Sequence, residues 1–349
     1  MKRFSRVLTG VVAVAALLAG CSGTDEPAAT PSATPAAEAT PTATTPAEPT
    51  TIRIASLKGP TTMGLVHLMD QATKGEAAED YQVTMYGSPD EIVPLVVQGQ
   101  ADIAMVPANL AAVLYNKTLT DSGAAVQVAA INTLGVLDIL EAGDTVHSVA
   151  DLKGKTIVAS GKGASPEYVL DYILRENGLE PGVDVTVDYR SEHTEVASVL
   201  AATPGTIAML PQPFATVVQT QNPAVRPALN LTDEWAKVAK DSQLVTGVVV
   251  VRTAFVTEHP EAFAQFLTDY EASTAFTNDN PAEAAKLIAD AGIVPAAPVA
   301  EKAIPGSHIT FIGGSELATT LGGYLKVLFD ADPKSVGGTM PGDDFYYAG

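Results

Sequence analysis

Two short turns in the sequence carry glycine and hydroxyl side chains at matching positions. The first reads Gly59-Pro60-Thr61-Thr62 and the second reads Gly163-Ala164-Ser165, and the two lie 104 residues apart. Each precedes a segment with helical periodicity, so Thr61 or Thr62 and Ser165 are expected to cap a helix whose first N–H groups lack partners. Such turns can bind an anion or a strongly polar group. The alternative is that they are ordinary caps.

A second pair of positions follows the repeated pattern Ile-Ala-Met-x-Pro, found at 103–107 and 207–211. Asn109 and Gln212 stand just after these segments, where a carboxamide can form directional hydrogen bonds with a ligand. The alternative is that their amides are satisfied within loops. Leu134 and Thr246 are further candidates for contact with a ligand, because the chain is expected to cross between two lobes there.

No arginine lies in the loops that carry these candidates, so the bidentate clamp expected for a carboxylate or phosphate is missing from them. This composition favours a small neutral or zwitterionic solute, or an anion that is held mainly by backbone dipoles. Arg190, which follows a predicted strand, is the one arginine expected to be able to reach the ligand. Lys58 and Lys162 precede the two glycine turns and could add charge.

Enzymatic readings of the same residues have little support. Ser56 with Lys58, or Ser160 with Lys162, could form a nucleophile pair, but no third orienting group is visible. The five histidines are dispersed without the spacing of metal ligands, and the chain has one cysteine, Cys21. The sequence therefore predicts a protein that is not an enzyme and has no metal and no cofactor.

The elements around the candidate residues occur twice at the same offset. β-Branched runs at 51–56 and 155–160 predict buried strands, and each is followed by a glycine turn, a helix, a second strand, a second helix and a third strand. This alternation predicts a parallel α/β sheet in each copy. Such sheets bind ligands outside the carboxyl ends of their strands.

Two apolar segments are expected to connect the copies as hinge crossings, one near Asn132 and one near Thr246. The region after Thr253 is expected to be mostly helical and to complete the first copy. The predicted division is signal peptide 1–20, lipidated cysteine and stalk 21–50, lobe I 51–132 and 247–349, and lobe II 133–246.

The N-terminal segment predicts export. Lys2, Arg3 and Arg6 precede an apolar stretch at 7–18 that is too short to span a bilayer and is typical of a signal peptide. The stretch ends in Leu-Ala-Gly-Cys21, which resembles a bacterial lipobox, so Cys21 is expected to carry a lipid anchor. The alternative for Cys21 is a buried free thiol.

The rest of the composition limits the partners. Residues 22–50 are almost wholly Ala, Thr, Pro, Ser and Glu, which predicts a disordered stalk. The chain has 20 Lys and Arg against 40 Asp and Glu, a net charge of −20. Phosphate backbones and anionic lipid surfaces repel such a chain, so no nucleic-acid partner is expected.

Together these features resemble the solute-binding lipoproteins of ABC importers. Three segments narrow the resemblance to the branch that serves nitrate, alkanesulfonates, taurine and thiamine-pyrimidine precursors: Gln98-Gly99-Gln100-Ala101-Asp102-Ile103-Ala104, Val149-Ala150-Asp151-Leu152-Lys153-Gly154-Lys155-Thr156-Ile157 and His259-Pro260-Glu261-Ala262-Phe263.

The resemblance implies an α/β, two-lobed fold like that of type II periplasmic-binding proteins, with two hinge crossings and a central cleft. It also implies a small-molecule solute, an ABC permease as partner and a monomeric protein on the extracytoplasmic face of the bacterial cell membrane. The alternative is a tethered ligand-sensing or interaction lipoprotein that does not take part in transport.

Overall fold

Two β-sheets organise the chain in the computed structural model, which describes residues 48–349. The predicted signal peptide, the predicted lipidation site Cys21 and the stalk residues up to 47 lie outside the described residues. Within 48–349 the strands are β1 (Thr51–Leu57), β2 (Asp80–Tyr86), β3 (Ile103–Pro107), β4 (Val126–Leu134), β5 (Leu137–Glu141), β6 (Thr156–Ser160), β7 (Thr186–Arg190), β8 (Ile207–Pro211), β9 (Arg226–Asn230), β10 (Val245–Arg252) and β11 (Ile309–Ile312).

Helices connect and cover these strands. Over the same residues they are α1 (Pro60–Met63), α2 (Val66–Lys74), α3 (Pro89–Val97), α4 (Ala108–Thr118), α5 (Ser165–Glu176), α6 (His193–Ala202), α7 (Phe214–Gln221), α8 (Leu231–Val238), α9 (Thr253–Glu258), α10 (Pro260–Asp279), α11 (Pro281–Asp290), α12 (Ala297–Ala303) and α13 (Gly314–Ala331). No helix in this part of the chain combines the length and the apolar character needed to cross a membrane.

The two sheets share one plan. The first has the order β11-β4-β10-β3-β1-β2 and the second has the order β7-β6-β8-β5-β9. In the first sheet β1 pairs in parallel with β2 and β3, and in the second β6 pairs in parallel with β7 and β8. An antiparallel strand then follows in each sheet, β10 beside β3 and β5 beside β8. The 104-residue offset in the sequence therefore corresponds to equivalent strands.

The chain passes between the sheets at two places. β4 ends at Leu134 in the first sheet and β5 begins at Leu137 in the second. β9 ends in the second sheet at Asn230, and after α8 the chain re-enters the first sheet at Val245 in β10. The lobe boundaries themselves, 51–132 with 247–349 and 133–246, stay a prediction.

The helix starts differ from the expected caps. The N-cap residues of α1 and α5 are Gly59 and Ala164, and neither helix has a side-chain cap. The hydroxyls of Thr61 and Thr62 instead donate to Leu57 O, at 2.9 and 2.5 Å. They satisfy the last carbonyl of β1, so the prediction that they cap the helix was wrong. Ser165 is the first residue of α5, and its hydroxyl bonds to another helix.

An aromatic group joins elements that pack on different sheets. Trp235 of α8 lies between Tyr172 of α5 and Tyr324 of α13, with ring centroids 5.1 and 5.5 Å away. Trp235 is buried, and its indole N–H donates to Ser242 O at 3.1 Å. Such a buried aromatic cluster contributes on the order of 1 kcal/mol per ring pair beyond the burial of area. The cluster thus connects helices that pack on different sheets.

Candidate ligand-binding cleft

A cavity of about 400 Å³ lies between the two sheets. The first sheet contributes Lys58 after β1, residues 87–90 after β2 and Pro107 at the end of β3. The second contributes residues 160–164 at the end of β6 and residues 189–193 at the end of β7. All of these loops follow the carboxyl ends of parallel strands, which is where open α/β sheets bind their ligands. We call this cavity the outer chamber.

A smaller recess of about 50 Å³ adjoins the outer chamber and shares Leu57, Lys58, Pro107, Pro166 and His193 with it. The remaining residues of the recess are Pro60, Thr61, Leu137, Pro211 and Thr246. Its wall is thus mostly proline and leucine, with few polar groups. A recess of this kind suits a compact apolar or weakly polar part of a ligand.

Five of the residues predicted to bind a ligand line these spaces. Gly163 and Ala164 lie on the outer chamber, and Pro60, Thr61 and Thr246 lie on the recess. The two repeated turns therefore contribute to one continuous cavity from opposite sheets. Direct contact of these residues with a solute stays a prediction.

Three other predicted residues are fully buried and bonded within the protein. Thr62 Oγ1 lies 2.7 Å from Ser56 Oγ. Asn109 Nδ2 donates to Gly163 O at 3.3 Å and to Ser335 O at 3.0 Å, and its Oδ1 accepts from Ser165 Oγ at 3.2 Å. Because Asn109 belongs to α4 and Ser165 to α5, these bonds bridge the gap between the sheets. Asn109 and Ser165 thus connect the two sides of the cleft.

The last three predicted residues line neither the outer chamber nor the recess. Gly59, with φ +143°, packs so closely on Phe214 that a methyl group there would lie 3.3 Å from the ring. Gln212 accepts from Thr216 Oγ1 at 2.8 Å and donates to Asp138 at 3.4 Å. Leu134 lines a separate cavity of about 470 Å³ beside Trp235, on another part of the molecule.

The second glycine turn is already occupied by a carboxylate of the protein. Gly163 N–H donates to Glu167 Oε2 at 2.5 Å, and Glu167 lies in the first turn of α5. The backbone N–H of Gly163, which was predicted to bind an anion, therefore already has a hydrogen-bond acceptor within the protein. The prediction that backbone dipoles hold an anion loses support at this turn.

Two lysines, rather than the backbone N–H groups of the glycine turns, provide positive charge at the outer chamber. Lys58 and Lys162 hold equivalent positions in the repeat and line the outer chamber from opposite sheets. The lysine ion pairs between residues 48 and 349 involve only Lys74, Lys153, Lys237 and Lys326.

The acidic groups of the outer chamber balance part of this charge. Asp90 and Glu192 line it. Arg190 also reaches it, as the sequence suggested, but its guanidinium is held by Asp188 at 2.7 and 3.0 Å. The two lysines are thus the cations of the chamber without a carboxylate partner among the described residues.

A Ser–His pair faces the cavity and was not predicted as a unit. Ser160 Oγ lies 2.6 Å from His193 Nδ1, and the imidazole packs on Phe214 with ring centroids 5.2 Å apart. Burial lowers the pKa of His193 to about 4. The signal was available in the parallel pairing of β6 with the following strand, which brings their carboxyl ends together.

Between residues 48 and 349 no group of three or more His, Cys, Asp or Glu side chains is placed to hold a metal ion.

Comparisons with known proteins were made for both sequence and structure. The family model described as NMT1/THI5 like matches residues 80–284. A search of curated protein sequences gave no match.

Among solved structures, an ABC transporter from Parabacteroides distasonis is similar with TM-score 0.69 and 22% identity, over 85% of this chain and 99% of the other. The alkanesulfonate-binding protein SsuA from Xanthomonas axonopodis pv. citri, bound to MOPS, is similar with TM-score 0.65 and 16% identity, over 85% and 96%. The nitrate-binding protein NrtA from Synechocystis PCC 6803 is similar with TM-score 0.59 and 14% identity, over 77% and 75%. These likenesses confirm the predicted periplasmic-binding-protein fold.

Proposed function

Because the chain belongs to the NMT1/THI5-like family, we propose that it binds a small polar solute between its two sheets and delivers that solute to an ABC-type importer. The family match confirms the resemblance found in the sequence. The proposal also draws support from the printed descriptions of the structural neighbours, which include an ABC transporter and binding proteins for alkanesulfonate and nitrate.

One observation carries the proposal: loops of both sheets enclose a single cavity. A solute in that cavity touches both sheets only when they are close together, so it stabilises the closed arrangement by its extra affinity for that form. The bonds from Asn109 to Gly163 and Ser165 make the closed arrangement accessible without a solute. A solute therefore raises the fraction of protein in the closed shape, and this fraction is what differs for the importer between the loaded and the empty protein.

A thermal-shift screen of the purified protein tests this proposal. Sulfonates, nitrate, pyrimidines, pyridines and amino acids should include a compound that raises Tm with increasing concentration, because a ligand of the folded state stabilises it by mass action. Lys162→Trp, which would fill part of the outer chamber from an exposed position, should remove that rise. Lys117→Trp, exposed on α4 outside the cleft, should retain it. No rise with any compound would overturn the proposal.

Transport is tested in cells. Deletion of the gene should abolish accumulation of the radiolabelled compound found in the screen, and restoring the gene should recover it. Accumulation that persists after deletion, with binding intact, would favour a tethered sensor instead.

We also propose that the protein is exported and anchored by a lipid at Cys21. Cys21→Ser should move the protein from the membrane fraction to the soluble fraction, and mass spectrometry of the wild-type N-terminus should show the acyl chains. An unmodified Cys21 in membrane-bound protein would contradict the anchor.

A further inference from the structure

The Ser160–His193 pair lies between the outer chamber and the recess. Ser160 ends β6, and His193 begins α6 after the loop that follows β7. The side chain of Ser160 is buried, and its Oγ lies 2.6 Å from His193 Nδ1. His193 lines both the outer chamber and the recess, and Phe214 covers another side of its ring. The imidazole is thus fixed in position from two directions.

The hydrogen bond to Ser160 is the basis for assigning the proton of the imidazole. A serine hydroxyl has one proton, and Ser160 Oγ has no hydrogen-bond partner other than His193 among the described residues. We therefore assign the serine proton to the bond with Nδ1, which leaves the ring proton on Nε2. Burial lowers the pKa of His193 to about 4, so the ring stays neutral near pH 7. The cavity receives an N–H donor that carries no charge.

A second polar atom of the recess lacks a partner. Thr246 lines the recess, and its Oγ1 is buried without a hydrogen bond to any described residue. A buried hydroxyl without a partner is costly, on the order of 1–3 kcal/mol, and a ligand that bonds to it removes the cost. Six of the ten residues around the recess are prolines and leucines, and Lys58 lines it as well. Away from Lys58 a charged group would lose hydration at a high cost, whereas an uncharged polar group that bonds to His193 or Thr246 would lose less.

We propose that Ser160 and His193 form a specificity-determining pair whose Nε2–H donates to an uncharged acceptor group of the solute in the recess, while an anionic end of that solute lies between Lys58 and Lys162. The inference rests on the proposed function and adds the class of solute: a small organic anion that carries a neutral hydrogen-bond acceptor. Ser160 acts through His193 and is a positioning residue.

The same pair could be taken for a nucleophile and its base, but its surroundings do not suit that role. An imidazole whose conjugate acid has a pKa of about 4 is a weak base near pH 7. Among the described residues no carboxylate is bonded to His193 to stabilise an imidazolium, and a triad requires such a group. Recognition therefore explains the geometry better than catalysis.

Two pairs of probes test the inference. Pyridine-3-carboxylate and benzoate share a flat ring and a carboxylate, and only the first has a ring nitrogen. 4-Oxopentanoate and 4-methylpentanoate share a short chain and a carboxylate, and only the first has a ketone. In at least one pair, calorimetric titration of the wild-type protein should show about three- to tenfold tighter binding of the member with the acceptor, as one added hydrogen bond provides. His193→Phe should remove this preference.

Ser160→Ala separates positioning from folding. It keeps the imidazole but no longer fixes its tautomer, so the preference for the member with the acceptor should shrink by a larger factor than the affinity for the member without it changes. Ser198→Ala, on the exposed side of α6, is the matched control and should leave both affinities unchanged. The wild-type preference should also be constant between pH 5.5 and 8, where His193 remains neutral.

The outcomes distinguish this inference from the proposed function. Equal binding of both members of each pair, a preference that survives His193→Phe, or a Tm rise with nitrate or taurine but with none of the four probes would overturn the role of the pair. Each of these would leave solute binding intact. Only a screen without any ligand would overturn both.

Discussion

His193 combines a short hydrogen bond with an environment that resists its protonation. Its imidazole has a pKa of about 4, well below the ordinary value of 6.5, because burial disfavours the charged form. Between these two values the unfolded chain binds a proton at this residue and the folded chain does not. The free energy of unfolding must therefore rise with pH over this range and fall as the pH is lowered from 6.5 to 4.

This contribution is measurable by urea unfolding at a series of pH values. The wild-type protein should lose on the order of 2 kcal/mol through His193 between pH 6.5 and 4, and His193→Phe should lack that part of the loss. His147→Phe, at a side chain that is 63% exposed, is the matched control and should follow the wild type. The comparison isolates His193 from the other ionisable groups on the cavity, which are Lys58, Lys162, Tyr189, Arg190, Asp90 and Glu192. Parallel curves for the wild type and His193→Phe would contradict an imidazole that stays neutral in the folded protein.

Lys58 and Lys162 should each contribute to the affinity for an anion. Lys58→Met and Lys162→Met are expected to weaken binding of the most effective anionic compound by about three- to tenfold each, and the effect should diminish at high salt. Lys286→Met, at an exposed position of α11, should leave binding unchanged. Calorimetric titration at two salt concentrations provides the measurement. Unchanged affinity in the double variant would show that the lysines serve solubility alone.

At the scale of single residues the sequence predicted part of the site. The glycine turns and the two lysines were visible because repetition marks them, and Arg190 was visible as an arginine after a strand. The Ser160–His193 bond was missed, because its two residues are 33 apart and meet only where β6 pairs with β7. The carboxylate of Glu167 on Gly163 N–H was also missed, since a capping interaction depends on the side-chain rotamer.

Among the elements, β10 shows how closely the crossing strands are packed. A methyl group at Gly247 would lie 2.5 Å from Asn132 Oδ1 and 2.9 Å from Thr61 Cγ2. Gly247→Ala should therefore lower the free energy of unfolding by about 1–3 kcal/mol, because the core has no room to adjust without strain.

Gly323→Ala is the matched control for this prediction. In α13 the nearest neighbour of the added methyl group would be Asp241 O at 3.8 Å, an ordinary contact. The helix should gain about 0.5–1 kcal/mol because alanine loses less backbone freedom than glycine on folding. Chemical denaturation of both variants should show changes of opposite sign. A higher free energy of unfolding for Gly247→Ala would contradict the close packing around Gly247 in β10.

The elements of the repeat could be predicted because the same order of turn, helix and β-branched or apolar segments recurs at one offset, whereas the connecting elements gave weaker signals. β9 reads Arg226-Pro227-Ala228-Leu229-Asn230, and a proline within a short, partly exposed run argues against a strand. β9 forms at the edge of the second sheet, where that proline costs no interior hydrogen bond. The one-turn helix α1 ends at Gly64, where Ile309 and Tyr270 pack against the backbone. Only the tertiary structure supplies those neighbours.

For the molecule as a whole, we predict that the polar contacts between the sheets stabilise a closed arrangement. Asn109→Ala removes the bonds to Gly163 O and Ser165 Oγ and should shift the protein without solute toward an open arrangement. Small-angle X-ray scattering should then show a larger radius of gyration without solute, and the affinity for the solute should fall several-fold because binding must provide the energy of closure.

Asn278→Ala tests whether this effect is specific. Asn278 Nδ2 donates to Ile309 O at 2.9 Å, beside the first sheet only. Its variant should lose stability without changing the radius of gyration. Equal radii for wild type and Asn109→Ala, with and without solute, would indicate that the sheets do not separate in solution.

Gly87 and Glu192 face each other across the outer chamber, so close that a methyl group on Gly87 would lie 2.6 Å from Glu192 Oε1. The sequence contains only one thiol, at Cys21, and it lies outside the described residues. Cysteines introduced near the rim of the chamber could therefore be labelled with a donor and an acceptor dye once Cys21 is replaced. Energy transfer between the two dyes would then report the concentration of the solute.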